Sequence, residues 1–178
     1  AVGAYGEASN QSSITNDSTS SDDDSAAYSG AVYIYARSGT SWSQQAYIKP
    51  SNTVAYGGFG SSVSLQGDLL VVGAASEDSN STSIVNGSTA SSDTSRENSG
   101  AVYVFKRSGT SWSQIAYIKA VNADASDAFG GKTDLDNSTI VVGANSEDSN
   151  STIIINGTTA SSDNSNSGSG AAYVYRFH

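Results

Sequence analysis

A tandem repeat with a constant period of 70 residues constrains this chain more than any other feature. Two marker segments recur without insertion or deletion, namely GAVYIY, GAVYVF and GAAYVY from residues 30, 100 and 170, and AVGAYGE, VVGAASE and VVGANSE from residues 1, 71 and 141. In such an array each unit is one supersecondary structure that stacks on its neighbours, so the fold is interpreted unit by unit. The 178 residues hold about two and a half units, which we interpret as a window of a longer array or a processed chain.

Four short strands are predicted within the complete unit, residues 59–120. The segment from Phe59 alternates apolar and polar residues, and so does the segment from Ser111. Between them, the continuous apolar runs 69–75 and 100–105 are typical of strands buried on both faces. A four-stranded antiparallel sheet of this kind cannot bury both faces alone and has to stack on its neighbours.

The pattern therefore predicts an all-β fold of β-propeller-type blades, each of four antiparallel strands. Residues 1–58 are expected to form a partial blade with strands two to four, residues 59–120 a complete blade, and residues 121–178 a partial blade with strands one to three. Such a partial propeller would be completed within a longer chain or between chains. The alternative is a single sandwich of about ten strands.

Composition excludes several classes of function. The net charge is −9 with only eight Lys and Arg residues, so binding to the phosphates of a nucleic acid is disfavoured. The chain has no Cys, which rules out disulfides, thiolate metal sites and cysteine nucleophiles. No apolar run approaches the ~20 residues that span a membrane.

Catalysis has little support in the sequence. The only histidine is His178, so a Ser-His-Asp triad has no credible base. The acids repeat with the period, whereas an active site normally breaks repeat symmetry, and we therefore expect no enzyme activity. Trp42 and Trp112, with Tyr47 and Tyr117 nearby, could stack on a sugar, but at matching positions of repeated blades they are more often packing residues.

The motifs of the unit resemble a known family. Phe59-Gly60, then GDLLVVGA from Gly67 and SGAVYVF from Ser99, are similar to the FG-GAP repeat of integrin-α-type propellers, particularly in its bacterial form. The resemblance covers essentially the whole chain in register. It implies that each unit is one blade of a ring of about six or seven blades, and it implies an extracellular or cell-surface location.

One departure from that family concerns calcium. Integrin-type repeats carry an Asp-x-Asp/Asn-x-Asp-Gly loop between the first and second strands, whereas here the connections are only residues 66–68 and 136–138. The family's calcium site therefore does not carry over, and no cofactor is required.

Acidic residues at the start of each long loop are the remaining candidates for a calcium site. They are Glu77, Asp78, Glu147 and Asp148. Carboxylates and loop carbonyls together can hold calcium, but a solvated acidic loop is the simpler interpretation. The glutamates could also cap backbone amides or pair with the arginines that follow strand three, Arg37, Arg107 and Arg176.

Seven Asn-x-Ser/Thr sequons are present, six of them at matching positions of the three units. In a secreted protein an exposed asparagine of this motif accepts an N-glycan, although Asn- and Ser-rich loops also generate the motif by chance. The candidates are Asn10, Asn16, Asn80, Asn86, Asn137, Asn150 and Asn156.

The long loops carry short β-prone runs that end in Asn-Gly, at residues 83–87 and 153–157. Asn-Gly is a strong hairpin signal, so a small projecting hairpin is predicted in each loop. Ile153, Ile154 and Ile155 would then need burial against a neighbouring unit or chain, which makes them candidate interface residues. Alternatively, they pack onto their own blade.

Together these features favour a non-catalytic extracellular structural repeat protein, a glycosylated building block of a surface layer, appendage or fibre. Its expected partners are further repeats of the same array or other copies of itself. The alternative that the resemblance implies is an adhesion module that recognises protein or glycan, with or without calcium. A third is a scaffold domain of a larger secreted enzyme.

Overall fold

The computed structural model describes residues 1–177, and this part of the chain is all-β, with three antiparallel sheets and no helix. His178 lies outside the described residues. The strands are β1 (Val2–Ala4), β2 (Ala31–Ser38), β3 (Ser41–Ile48), β4 (Phe59–Gln66), β5 (Leu69–Ala74), β6 (Ile84–Asn86), β7 (Ala101–Ser108), β8 (Ser111–Ile118), β9 (Phe129–Asp136), β10 (Thr139–Ala144) and β11 (Ala171–Arg176). The predicted fold class, all-β with propeller-type blades, is confirmed.

Each sheet is one blade. The first has the order β1-β2-β3, the second β4-β5-β7-β8-β6 and the third β11-β10-β9. The tight turn that the sequence indicates at Gly67 joins β4 to β5, and Gly67 has the positive φ of 58° that such a two-residue turn requires. In the third blade the equivalent position is Asn137, with φ 53°, because asparagine tolerates this region better than most residues.

Two hydrophobic cores lie between the blades and explain the continuous apolar runs. Side chains of a strand alternate between its faces, so β5 presents Leu70 and Val72 to the first blade and Val71 to the third. In β7, Tyr103 faces the first blade and Val104 the third. The inner strands β5 and β7 of the middle blade therefore have no polar face along their buried length.

The Phe-Gly and Ser-Gly motifs meet where two blades join. Phe129 at the start of β9 is fully buried and forms a parallel bridge with Gly100, directly before β7 in the preceding blade. A side chain on Gly100 would strike the backbone of Phe129, and its φ is +81°, which also favours glycine. The Phe129 ring packs edge-on against Tyr173 of its own blade, at a centroid distance of 5.2 Å, and full burial of a phenylalanine contributes about 1.5–3 kcal/mol.

The predicted projecting hairpin is wrong for the second unit. There the run Ile84–Asn86 forms β6, which pairs antiparallel with β8 at the outer edge of its own blade. In the second unit the run therefore lies on its own blade. The equivalent isoleucines of the third unit form no strand, and their side chains are exposed.

We expect Gly73→Ala to lower the free energy of unfolding by about 2–3 kcal/mol. A Cβ on Gly73 would collide with the carbonyl oxygen of Gly130 in the next blade, whereas a Cβ on the equivalent Gly143 would come no closer than 3.7 Å to Lys132. Neither glycine has a positive φ. Gly143→Ala in the 178-residue chain is thus the matched control.

Urea denaturation of both variants measures the difference. Equal stability of the two variants would contradict close packing of the second blade against the third.

Candidate functional site

A buried carboxylate at the end of β5 is the centre of the most elaborate polar cluster in the described structure. Glu77 is 3% exposed, and its Oε2 accepts a hydrogen bond from Lys119 Nζ at 2.8 Å. Lys119 is itself buried and also donates to Ser99 Oγ at 2.7 Å. The pair is therefore a desolvated salt bridge with additional hydrogen bonds, the arrangement in which a buried charge is tolerated.

The second oxygen of Glu77 links the pair to both neighbouring segments. Oε1 accepts hydrogen bonds from the Tyr117 hydroxyl at 2.9 Å and from Asn52 Nδ2 at 3.2 Å. Asn52, which lies between the first and second blades, in turn accepts a hydrogen bond from the Tyr103 hydroxyl at 2.6 Å. The cluster thus connects the linker before the blade with the second, third and fourth strands inside it.

Local sequence explains how these groups reach the same point. Ser99 at the blade junction donates its hydroxyl proton to the carbonyl oxygens of Glu77 and Ser79, and Ser79 N donates to Glu77 Oε2 at 3.1 Å. In β8 the pairing register shifts at Ile115. Beyond this bulge every residue from 116 to 120 is buried, so the lysine at the strand end turns inward.

Parts of this cluster recur in the other units. In the first, Lys49 Nζ contacts Glu7 Oε2 and Ser29 Oγ, both at 2.8 Å. In the third, Glu147 Oε1 accepts from Asn122 Nδ2 at 2.9 Å. No salt bridge to Glu147 forms within residues 1–177, and the position 70 residues after Lys119 lies beyond this chain.

Burial and the neighbouring Glu77 carboxylate shift the pKa values of Lys119 and Tyr117 in this cluster. Burial lowers the pKa of Lys119, and the Glu77 carboxylate opposes that shift. Burial and the same carboxylate raise the pKa of the Tyr117 hydroxyl well above its usual value, so this tyrosine stays neutral and acts as a donor. The hydrogen bonds therefore fix the positions of these groups relative to one another.

The acids singled out in the sequence take two roles. Glu77 and Glu147 are buried, and each caps the backbone amide two residues later. Asp78 and Asp148 each accept a hydrogen bond from a backbone amide 20 residues further on, at 2.7 Å. Residues 1–177 contain no group of three or more His, Cys, Asp or Glu that could hold a metal ion, and the calcium assignment gains no support from this geometry.

Of the two roles considered for these glutamates, capping of backbone amides is observed, whereas pairing with the arginines after strand three is not observed within residues 1–177. Arg107 instead contacts Asp68 at 2.8 Å, at the turn of its own blade. The partners are Lys49 and Lys119, which the sequence interpretation missed. Their signal was nevertheless present, since both lysines follow Ala-Tyr-Ile at the same repeat position, 42 residues after a recurring glutamate.

The two tryptophans differ although their positions match. Trp112 is 3% exposed, and Asn16 from the long loop of the first blade bonds to both its backbone N and its backbone O. Trp112 is therefore a packing residue between blades. Trp42 is 66% exposed, because no preceding blade covers it in the described structure.

The asparagines of all seven sequons are exposed. In the long loops, Asn10 and Asn80 use only their backbone amides, which donate to Asp23 and Asp93. Their side-chain amides therefore make no hydrogen bond within the described residues and point to no structural role.

A comparison with family models identifies the repeat. The FG-GAP repeat model matches residues 42–105 and 112–175, together well over half of the chain. The chain belongs to the FG-GAP repeat family. Each matched segment begins at the tryptophan in the last strand of one blade and ends in the third strand of the next, so an FG-GAP sequence unit includes one blade junction. No curated protein matches the chain.

FG-GAP repeat domains are generally non-enzymatic binding or structural modules and are typically extracellular. Among residues 1–177 there is no helix with the length and hydropathy of a membrane span. The coarse class of the protein, an extracellular-type repeat module, follows from the family.

We expect Glu77→Gln to destabilise the FG-GAP chain by about 3–5 kcal/mol, because it leaves the Lys119 charge buried without a counter-charge. Glu147→Gln is the matched control and is expected to cost much less, since Glu147 has no lysine partner in residues 1–177. Glu77→Gln combined with Lys119→Met should recover part of the loss. Chemical denaturation of the three variants tests this, and equal losses at Glu77 and Glu147 would count against a stabilising ion pair.

Asp127, in the linker before β9, is the second unusual carboxyl. Burial raises its pKa from 3.8 to about 6, with Glu147, Asp124 and Asp148 adding to the shift. The folded state therefore binds a proton more tightly than the unfolded state, and stability falls as pH rises from about 4 to about 6.

We expect Asp127→Asn to remove this dependence. The variant should gain about 1–3 kcal/mol over the wild type at pH 7.5 and little at pH 3.5, where the carboxyl is mostly protonated in both states. Thermal denaturation across this pH range gives the difference. A constant offset between the two proteins would show that Asp127 does not titrate with a raised pKa.

Proposed function

We propose that this chain is a section of a non-catalytic, glycosylated structural protein, a building block of an extracellular layer, appendage or fibre. The observation that carries the proposal is that the buried and the exposed polar groups of each unit have different roles. Buried polar groups are engaged in hydrogen bonds within a blade and to the linker before it, whereas the exposed loops repeat the sequons in register. A repeated fold with repeated modification sites suits an array more than a single binding site.

Cohesion between the blades supports an array. The Phe-Gly junction and the two inter-blade cores bury apolar surface on both faces of the middle blade. Stability of such stacks is approximately a sum of terms for units and for interfaces, so further units extend the structure without a new kind of contact.

The loops support glycosylation. Asn10, Asn80 and Asn150 occupy the same position of the three units, are exposed and lie in acidic polar segments. An N-glycan at this position would extend into solvent without displacing a buried group, because only the backbone amides of Asn10 and Asn80 are engaged. At Asn150 it would replace only an exposed hydrogen bond from Nδ2 to the Ser165 hydroxyl. Glycans spaced one blade apart would cover the outer surface of the array.

Intact-mass measurement of the protein from its native source, before and after enzymatic removal of N-glycans, tests this function. We expect the untreated protein to be heavier and glycopeptides to include Asn10, Asn80 and Asn150. An unmodified mass would refute the glycan assignment.

Electron microscopy of the native particle tests the structural assignment separately. Filaments or sheets are the expected result. Discrete monomeric rings would instead favour the adhesion alternative, in which loops of a closed propeller recognise a protein or a glycan.

A further inference from the structure

Asn16, the second sequon asparagine of the first unit, bonds through its side chain to the second blade. Its Oδ1 accepts a hydrogen bond from Trp112 N at 2.7 Å, and its Nδ2 donates to Trp112 O at 3.3 Å. One carboxamide thus binds both backbone groups of a residue in β8, as a residue of a paired strand would. We name this two-bond contact between blades the carboxamide clamp.

The loop of the first blade holds Asn16 in position for the clamp. On one side, Thr15 forms an antiparallel bridge with Tyr47 of β3, with backbone hydrogen bonds of 2.9 and 2.8 Å. On the other side, Asp17 Oδ1 accepts hydrogen bonds from the backbone N and the hydroxyl of Thr19 at 2.7 and 2.6 Å. Asn16 is therefore fixed between a strand contact and a turn of the loop.

The edge of β8 at Trp112 is covered by the first blade. The short strand β6 pairs with β8 only at residues 116–118, so it does not reach Trp112. The indole Nε1 of Trp112 donates to Gln45 Oε1 of β3 at 3.2 Å, and Trp112 is buried. The clamp thus satisfies a backbone N–H and C=O at a point of the edge that β6 does not pair.

The equivalent asparagine of the second unit lacks the clamp in this chain. Asn86 is exposed, pairs with Ala116 through its backbone, and its side chain makes no hydrogen bond within residues 1–177. The position 70 residues after Trp112 lies beyond this chain. Asn16 and Asn86 therefore share a repeat position and a sequon, and they differ in the clamp.

An N-glycan and the clamp exclude each other for a geometric reason. N-glycosylation replaces one hydrogen of Nδ2 by a sugar carbon and leaves a secondary amide. Such an amide strongly favours the trans form, in which its remaining N–H points away from the carbonyl oxygen. The clamp instead needs Oδ1 and an Nδ2 hydrogen on the same side, both facing Trp112. A glycan on Asn16 would therefore occupy the place of the hydrogen that Trp112 O accepts.

We propose that Asn16 is a structural clamp between the first and second blades and is not a glycan acceptor. The first unit then carries its N-glycan at Asn10, whose side chain makes no contact with another blade and whose backbone amide alone is engaged. This assignment deepens the proposed function and rests on it for the presence of glycans. The clamp itself is independent of glycans.

Urea denaturation of the 178-residue chain, made in a host without N-glycosylation, tests the clamp. Asn16→Asp places a carboxylate oxygen where Nδ2 now donates to Trp112 O. Asn86→Asp is the matched control, since it adds the same negative charge at the same repeat position. We expect Asn16→Asp to raise the unfolding equilibrium constant about 10-fold more than Asn86→Asp does. Equal effects of the two changes would overturn the proposal.

Glycopeptide mapping of the protein from its native source tests the glycan part. The first Lys or Arg of the chain is Arg37, so one tryptic peptide contains both Asn10 and Asn16. We expect a single glycan on this peptide, attached to Asn10. A glycan on Asn16 would overturn the proposal. A protein without any glycan would refute the proposed function alone, and the denaturation result would then decide whether the clamp exists.

Discussion

Close contact between the backbones of neighbouring blades is the constraint on which the rest of this structure depends. Gly100 bridges to Phe129, and Gly73 lies against Gly130, at points where a Cβ would collide with main-chain atoms. Because the blades approach this closely, the alternating side chains of β5 and β7 fill two continuous cores. The same close contact between blades keeps the Glu77 cluster out of solvent. Lys119, Tyr117 and Tyr103 supply the hydrogen bonds within it.

The buried clusters give the repeat its polar specificity. A buried ion pair adds little net stability against an apolar alternative, but loss of one member is costly. Because of this asymmetry, the Glu-Lys contact favours one pairing register of the strand. A strand paired in any other register would leave the buried carboxylate without its lysine. Glu7 and Glu77 each have a lysine partner within the described residues, whereas Glu147 accepts hydrogen bonds from Asn122 and Ser149.

Much of the fold could be predicted from the sequence because the same pattern of apolar runs occurs in all three units. The apolar runs at 69–75 and 100–105 indicated strands buried on both faces, and β5 and β7 lie there. The polar cluster around Glu77 was harder to predict from the sequence. The recurring glutamates were recognised, but the partners considered for them were the arginines after strand three, since nothing local shows that a bulge in β8 turns Lys119 inward. The Asn-Gly motif likewise indicated a hairpin, but in the structure Ile84–Asn86 satisfies its backbone hydrogen bonds by pairing with β8.

The sequence by itself determined the period, the strand content and the family, because hydrophobic alternation and the Phe-Gly and Ser-Gly motifs are local properties. Only the tertiary structure decided which charges meet, since Glu77 and Lys119 are 42 residues apart in the chain and 2.8 Å apart in space. It also decided that equivalent residues differ in environment. Trp112 is covered by the first blade and Trp42 is exposed, because burial depends on which neighbour is present and a repeat motif does not encode that.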